Sequence, residues 1–161
     1  RNTNTKYTYR LLILSGPAGF TSWITQNKEL ISNIKGVLNL RCLGSVFPHN
    51  LQLSNAQGTV FEQVCKTVMH KTDPECQFTK AGKFFEALPS GMNPLFTGDK
   101  NDYNLPILTL YRSLPGKNKN YPFFGYQTNF DSVEKVNFPA MIDSCGLISD
   151  IISELEMNTM A

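Results

Sequence analysis

Two histidines, four cysteines and a scatter of carboxylates are the groups in this chain with the means to do chemistry. His49 follows Pro48, a position that reads as loop, and His70 falls at the end of an expected helix. The carboxylates Asp73, Glu75, Asp99, Asp102, Asp131, Asp143 and Asp150 are spread along the chain, so only the fold can assemble a site from them. No glycine-framed serine elbow, no His-Glu-x-x-His helix and no cysteine beside an obvious base occurs. The lack of any local catalytic motif weighs against an enzyme, and no catalytic residue is assigned.

Cys65, His70 and Cys76 fall within the stretch CKTVMHKTDPEC, a spacing faintly like a zinc knuckle. A structural zinc site needs four ligands, and Cys42 and His49 would have to come from afar. Cys65 also lies on an apolar helical stripe, where a buried thiol is the ordinary outcome. The expectation is no metal and no cofactor.

Residues 12–23, LILSGPAGFTSW, place a Gly-Pro-Ala-Gly turn between an aliphatic run and a helix. The stretch LSGPAG resembles, over about six residues, the phosphate loop of the P-loop nucleotide kinases. That loop needs a wider glycine spacing and a lysine that neutralises phosphate charge. Gly16 and Gly19 are too close together, and Phe20, Thr21 and Ser22 follow without a lysine; Lys28 lies two turns on. The strand ILTLYR ends in Tyr111 and Arg112 rather than in the aspartate that would help hold magnesium. Gly16–Gly19 is therefore expected to be a structural turn. A nucleotide-binding enzyme or pseudo-enzyme with a degenerate phosphate loop at 15–22 is the alternative.

The segment GKNKNYPFFGYQ interleaves Lys117 and Lys119 with Tyr121, Phe123, Phe124 and Tyr126. Basic and aromatic residues on one strand can neutralise phosphates and stack bases. Lys119, Tyr121, Phe123 and Tyr126 stand at offsets that resemble the aromatic octamer of RNA-recognition motifs. The partner strand such a motif requires about 35 residues upstream is missing, and Pro122 points to a sheet edge. These six residues are the expected partner-binding surface, with another protein as the first choice of partner and nucleic acid as the alternative. The function expected overall is a non-catalytic protein-interaction module excised from a larger protein.

Bulk properties bound these readings. With 161 residues, 41% hydrophobic and 17% charged, the chain suits one core-forming domain spanning 1–161, behind a polar lead-in at 1–5. A net charge of +2 argues against a strongly basic nucleic-acid clamp. No run approaches the ~20 apolar residues of a membrane span. The chain opens on Arg1, which reads as a fragment or a processed chain, and no signal-peptide core follows. Irregularly spaced cysteines and the absence of any Asn-x-Ser/Thr sequon favour reduced thiols in the cytoplasm or nucleus. A secreted chain with two disulfides is the runner-up.

The elements that must position these groups follow from periodicity. KYTYRLLILS (6–15) reads as a first strand, apolar on both faces and therefore central. Thr21 or Ser22 can cap the helix WITQNKELISNIK, closed by Gly36, and 37–47 returns to strand. TVFEQVCKTVMHK (59–71) reads as a helix with a Thr59–Glu62 capping box, and 78–88 as a short second helix. Strands 105–113 and 121–128 suggest a hairpin, and 139–158 a closing helix with Met141, Cys145, Ile148, Ile152 and Leu155 inward. The expected fold is α/β or α+β: one domain, a mixed sheet and about four helices.

Overall fold

A computed structural model describes residues 5–53, 58–80, 105–113 and 129–158. It is a mixed α/β domain built on a four-stranded sheet. The strands are β1 (Val37–Arg41), β2 (His49–Leu53), β3 (Gln77–Lys80) and β4 (Ile107–Arg112), in the order β1-β4-β2-β3. β1 runs parallel to β4, β2 is antiparallel to β4, and β3 is parallel to β2. Among the described residues three α-helices, α1 (Gly16–Gln26), α2 (Val60–Thr72) and α3 (Phe138–Met157), accompany them, with short 3-10 helices at Lys28–Asn33 and Val133–Lys135. The expected fold class is the observed one.

Strand alternation divides the sheet into two faces. Leu38 of β1, Leu51 and Leu53 of β2, Phe78 of β3 and Leu108 and Leu110 of β4 face α2 and α3. Val64, Cys65, Val68 and Met69 of α2, with Leu147 and Ile151 of α3, complete that core. On the other face Val37 and Ile107 meet Phe20, Trp23 and Ile24 of α1 and Ile31 and Ile34 beyond it. The main core is therefore a two-helix layer over one sheet face, with α1 covering one end of the other.

α2 forms where its spacing predicted. Thr59 accepts from the Glu62 backbone N–H at 3.2 Å, which satisfies an orphan donor of the first turn. The Glu62 carboxylate does not complete the reciprocal box; it turns to Lys66, one turn along. Gly36 has a second role besides following the helical segment. A Cβ there would lie 2.4 Å from Cγ of Phe61, so only glycine lets this ring close over the chain.

Several local expectations change. Residues 6–14 pair with none of the described strands, and Leu11 and Ile13 are 80% and 91% exposed. Instead the segment is tethered to the far end of α3: Tyr7 N–H and Tyr9 OH both donate to Glu156, at 3.2 and 2.7 Å. α1 begins at Gly16, with Ser15 as its N-cap and Pro17 in its first turn, ahead of the expected Thr21 or Ser22. Residues 78–80, expected to start the short helix 78–88, instead belong to β3, because an open position beside β2 accepts this segment as a parallel edge strand. The remainder of that expected helix and the expected strand at 121–128 lie outside the described residues. On α3 the buried residues are Ala140, Ser144, Leu147 and Ile151, while Met141 and Cys145 face outward. The helix is apolar around more than half its circumference, so periodicity alone left its inward face open.

Candidate functional site

Several buried polar side chains, His49, Arg112 and Ser144 among them, gather where β4 ends. β1 and β2 are not neighbours; β4 lies between them. The link from Arg41 to His49 must therefore cross over the carboxyl end of β4. His49 opens β2 directly opposite Arg112, the last residue of β4. Ser144 of α3 reaches this end of the sheet, and Asp73, which closes α2, meets His49 there.

These groups form one continuous line. The Asp73 carboxylate accepts from the His49 backbone N–H at 3.0 Å and lies 2.8 Å from His49 Nδ1. His49 Nε2 lies 3.0 Å from Ser144 Oγ. Arg112 donates from Nε to Ser144 Oγ at 2.9 Å, and a second guanidinium nitrogen donates to the Phe47 carbonyl at 2.9 Å. Its third nitrogen is ion-paired with Asp143. Ser144 is itself within reach of the Ala140 and Leu43 carbonyls, at 2.9 and 3.2 Å. The line is buried at its centre and surfaces at its ends: the Ser144 and His49 residues are 0% and 1% exposed, and the Asp143 side chain is 61% exposed.

Burial pushes the His49 imidazole below its ordinary pKa, and the Arg112 charge pushes the same way against the pull of Asp73. Burial alone would raise Asp73, but the hydrogen bonds from His49 outweigh it and hold the carboxyl low. At neutral pH the imidazole is accordingly uncharged, with its proton on Nδ1 toward Asp73 and its lone pair on Nε2 toward Ser144. The Ser144 oxygen accepts from Arg112, and its single proton faces His49, Ala140 and Leu43.

Acid, imidazole and hydroxyl thus stand in the order of a nucleophilic triad. The surroundings do not permit that chemistry. Ser144 sits in the second turn of a helix with no exposed surface, and Arg112 already occupies its oxygen. A substrate carbonyl has no path to it. What the arrangement does is mechanical. Ser144 and Arg112 hold the Leu43 and Phe47 carbonyls, and the Asn137 N–H donates to Gly44 O at 2.8 Å. The 42–48 loop is thereby clamped to α3 at the carboxyl end of β1 and β4. Cys42 opens that loop at φ 49°, in the left-handed region that non-glycine residues rarely adopt.

The sequence located some of these groups and not their relations. His49, expected in a loop, is the first residue of a strand and almost wholly buried. Asp73 and Asp143 were among the scattered carboxylates, and the fold brings both to the line. Ser144 and Arg112 carried no site signal; an arginine closing an apolar strand was the one available hint. Cys65, His70 and Cys76 do not converge: Cys65 is buried in the core, and the His70 ring lies tilted against Phe78 with ring centroids 4.8 Å apart. Among the described residues no group of three or more His, Cys, Asp or Glu is placed to hold a metal ion. Residues 15–22 are the N-cap and opening turns of α1, not a loop ahead of a helix. Lys117, Lys119, Tyr121, Phe123, Phe124 and Tyr126 lie outside the described residues, as do Asp99 and Asp102. All four cysteines are free, so the two-disulfide alternative is not realised. No described helix is long and apolar enough to cross a membrane.

A Clostridium acetobutylicum protein, provisionally named a polysaccharide biosynthesis protein with an aminopeptidase-like domain, is 26% identical over 154 residues. The alignment covers 96% of this chain and 32% of that protein. A crystal structure from the same organism, of a protein provisionally described as a peptidase, superimposes with a TM-score of 0.79 at 24% identity. It covers 97% of this chain and 34% of that one, and at this identity the likeness shows the fold. The chain spans about a third of the length of the relatives it matches. These relatives overturn the expectation of a non-catalytic interaction module, since both carry peptidase-type names. The family model that matches residues 1–158 is described as "Domain of unknown function (DUF4910)", and the chain belongs to that family.

Proposed function

We propose that this chain is one domain of a peptidase-type hydrolase acting on peptide bonds, and that the 42–48 loop and the start of α3 form its substrate-facing edge. The observation that carries the reading is the buried line Asp73–His49–Ser144–Arg112–Asp143 beneath the carboxyl end of β4. Open α/β sheets carry their ligands at the carboxyl ends of strands, and a site there needs a rigid floor. The peptidase-type names of the two relatives support the same class. In this reading His49, Ser144 and Arg112 are positioning residues, and the bond-breaking groups lie elsewhere in the full-length protein. Residues 1–161 act as a single domain, and four free thiols favour an intracellular location.

The test is to incubate the full-length protein with a mixed pool of defined peptides and with chromogenic amino-acid amides, and to read products by mass spectrometry. New free amino termini are expected. Arg112→Met, which unties the 42–48 loop from α3, should lower the cleavage rate beyond its loss of folded protein, measured by circular dichroism. A pool left intact by pure, folded protein across pH and metal additions overturns the reading.

A further inference from the structure

The start of α3 and the clamped loop carry an exposed apolar shelf that the buried line does not explain. Phe138 and Ile142 lie one helical turn apart and are 63% and 73% exposed; Met141, on the same side, is 39% exposed. Val136 and Met141 both lie beside Gly44, where a Cβ would come within 2.9 Å of Val136 Cγ1 and 3.2 Å of Met141 Cγ. Val46, two residues along the same loop, is 66% exposed, and Val133 is 68% exposed. Surface apolar residues scattered singly are ordinary; a concentration on one edge marks a binding surface.

Charge decides what binds there. Asp131, Glu134 and Asp143 stand along the 131–143 stretch that carries the shelf, where Lys135 is the one exposed cation among the described residues, although the chain as a whole carries +2. All four are exposed. The Ser132 hydroxyl donates to Glu134 and holds its carboxyl below the usual range. Arg112 engages Asp143 from below. The edge is thus locally acidic around an apolar centre.

We infer that this shelf, Val46, Val133, Val136, Phe138, Met141 and Ile142 with these carboxylates, docks substrate polypeptide in segments that combine large apolar side chains with lysine or arginine. The inference rests on the peptidase reading for the identity of its ligand as peptide. It adds the class of peptide and the surface that selects it.

The test measures binding rather than cleavage. Three fluorescein-labelled, amino-terminally acetylated peptides are titrated into the 161-residue chain and followed by anisotropy: one rich in Leu, Phe and Lys, one with Glu in place of Lys, and one with Ser and Gly in place of Leu and Phe. The first should bind saturably, and each of the others about tenfold more weakly or worse. Raising the salt should weaken the first, because exposed charge pairs are screened. Phe138→Ser/Ile142→Ser should weaken it by about tenfold, and Glu134→Lys by several-fold, with melting temperature held because these side chains are exposed. Equal binding of all three peptides, no saturable binding, or indifference to these variants overturns the shelf. So does a dimer in sedimentation that Ile142→Ser dissolves, since a second copy would then be the occupant. Binding without cleavage by the full-length protein sinks the hydrolase reading alone; cleavage with a shelf indifferent to these changes sinks this inference alone.

Discussion

His49 Nε2 lies 3.0 Å from Ser144 Oγ, a contact across 95 positions of sequence that ties the first residue of β2 to the second turn of α3. Ser144 is the hub of the line: its oxygen meets the imidazole, the Arg112 guanidinium and two backbone carbonyls. Ser144→Ala keeps the volume close and takes away the hydroxyl that meets His49 Nε2, Arg112 Nε and the Leu43 carbonyl, all in the buried part of the line. The expected cost is about 1–3 kcal/mol of stability, read by urea unfolding. If the full-length protein cleaves peptides as proposed, its cleavage rate in the S144A variant should follow the folded fraction. A loss of several orders of magnitude in a fully folded S144A protein would mark the serine as reacting after all.

Stability should fall on mild acidification. The folded pKa of His49 lies below its unfolded value of 6.5, so the unfolded chain takes up a proton first as pH drops. The stabilisation is complete above pH 6.5 and is lost as pH falls from there toward the folded pKa. Asp73 is depressed as well and adds a second loss below its unfolded value of 3.8. Melting temperature followed from pH about 7.5 down to about 5 should slope downward in the native chain. His49→Gln should start lower and show a flatter slope over that interval. A native profile that is level through it contradicts the buried neutral imidazole.

The thiols should separate by reactivity. Burial pushes Cys65 up to about 12, and the residue has no exposed surface. Cys145, on the outer side of α3, is exposed. A thiol reagent at neutral pH should modify Cys145 within the first fast phase and Cys65 only after unfolding. Peptide mapping of partially modified protein locates the label. Rapid labelling of Cys65 in native protein would mean that the α2 core is not closed.

Gly36 and Phe61 make a paired prediction. Gly36→Ala places a Cβ 2.4 Å from the Phe61 ring, and the overpacking should cost about 1–3 kcal/mol. Phe61→Leu in the same chain frees the space the ring held. The double variant should lose less than the sum of the two single losses, which a double-mutant cycle by thermal unfolding reads directly. Strict additivity would mean the two positions do not touch.

Much of the secondary structure was determined by the sequence itself. The Val64, Cys65, Val68, Met69 spacing after a Thr59 cap specifies α2 whatever it packs against, because cap and stripe are local features. Pro139 in the first turn and the long apolar run likewise specify α3, and the β-branched and aliphatic run at 107–112 specifies β4. Which way α3 turns was not local. Its apolar residues ring most of the helix, and the inward face was chosen by Ser144, whose hydrogen bonds exist only once β2, β4 and the 42–48 loop are in place. The segment 6–14 has strand composition but no partner strand in the sheet, since pairing is a property of two segments and not of one. The candidate site belongs to the same class. His49, Asp73, Arg112, Asp143 and Ser144 leave no motif, because their spacing in sequence carries no information about their spacing in space. They meet because β4 inserts between β1 and β2, which forces one loop across the strand end and brings the polar ends of five segments together where the core stops.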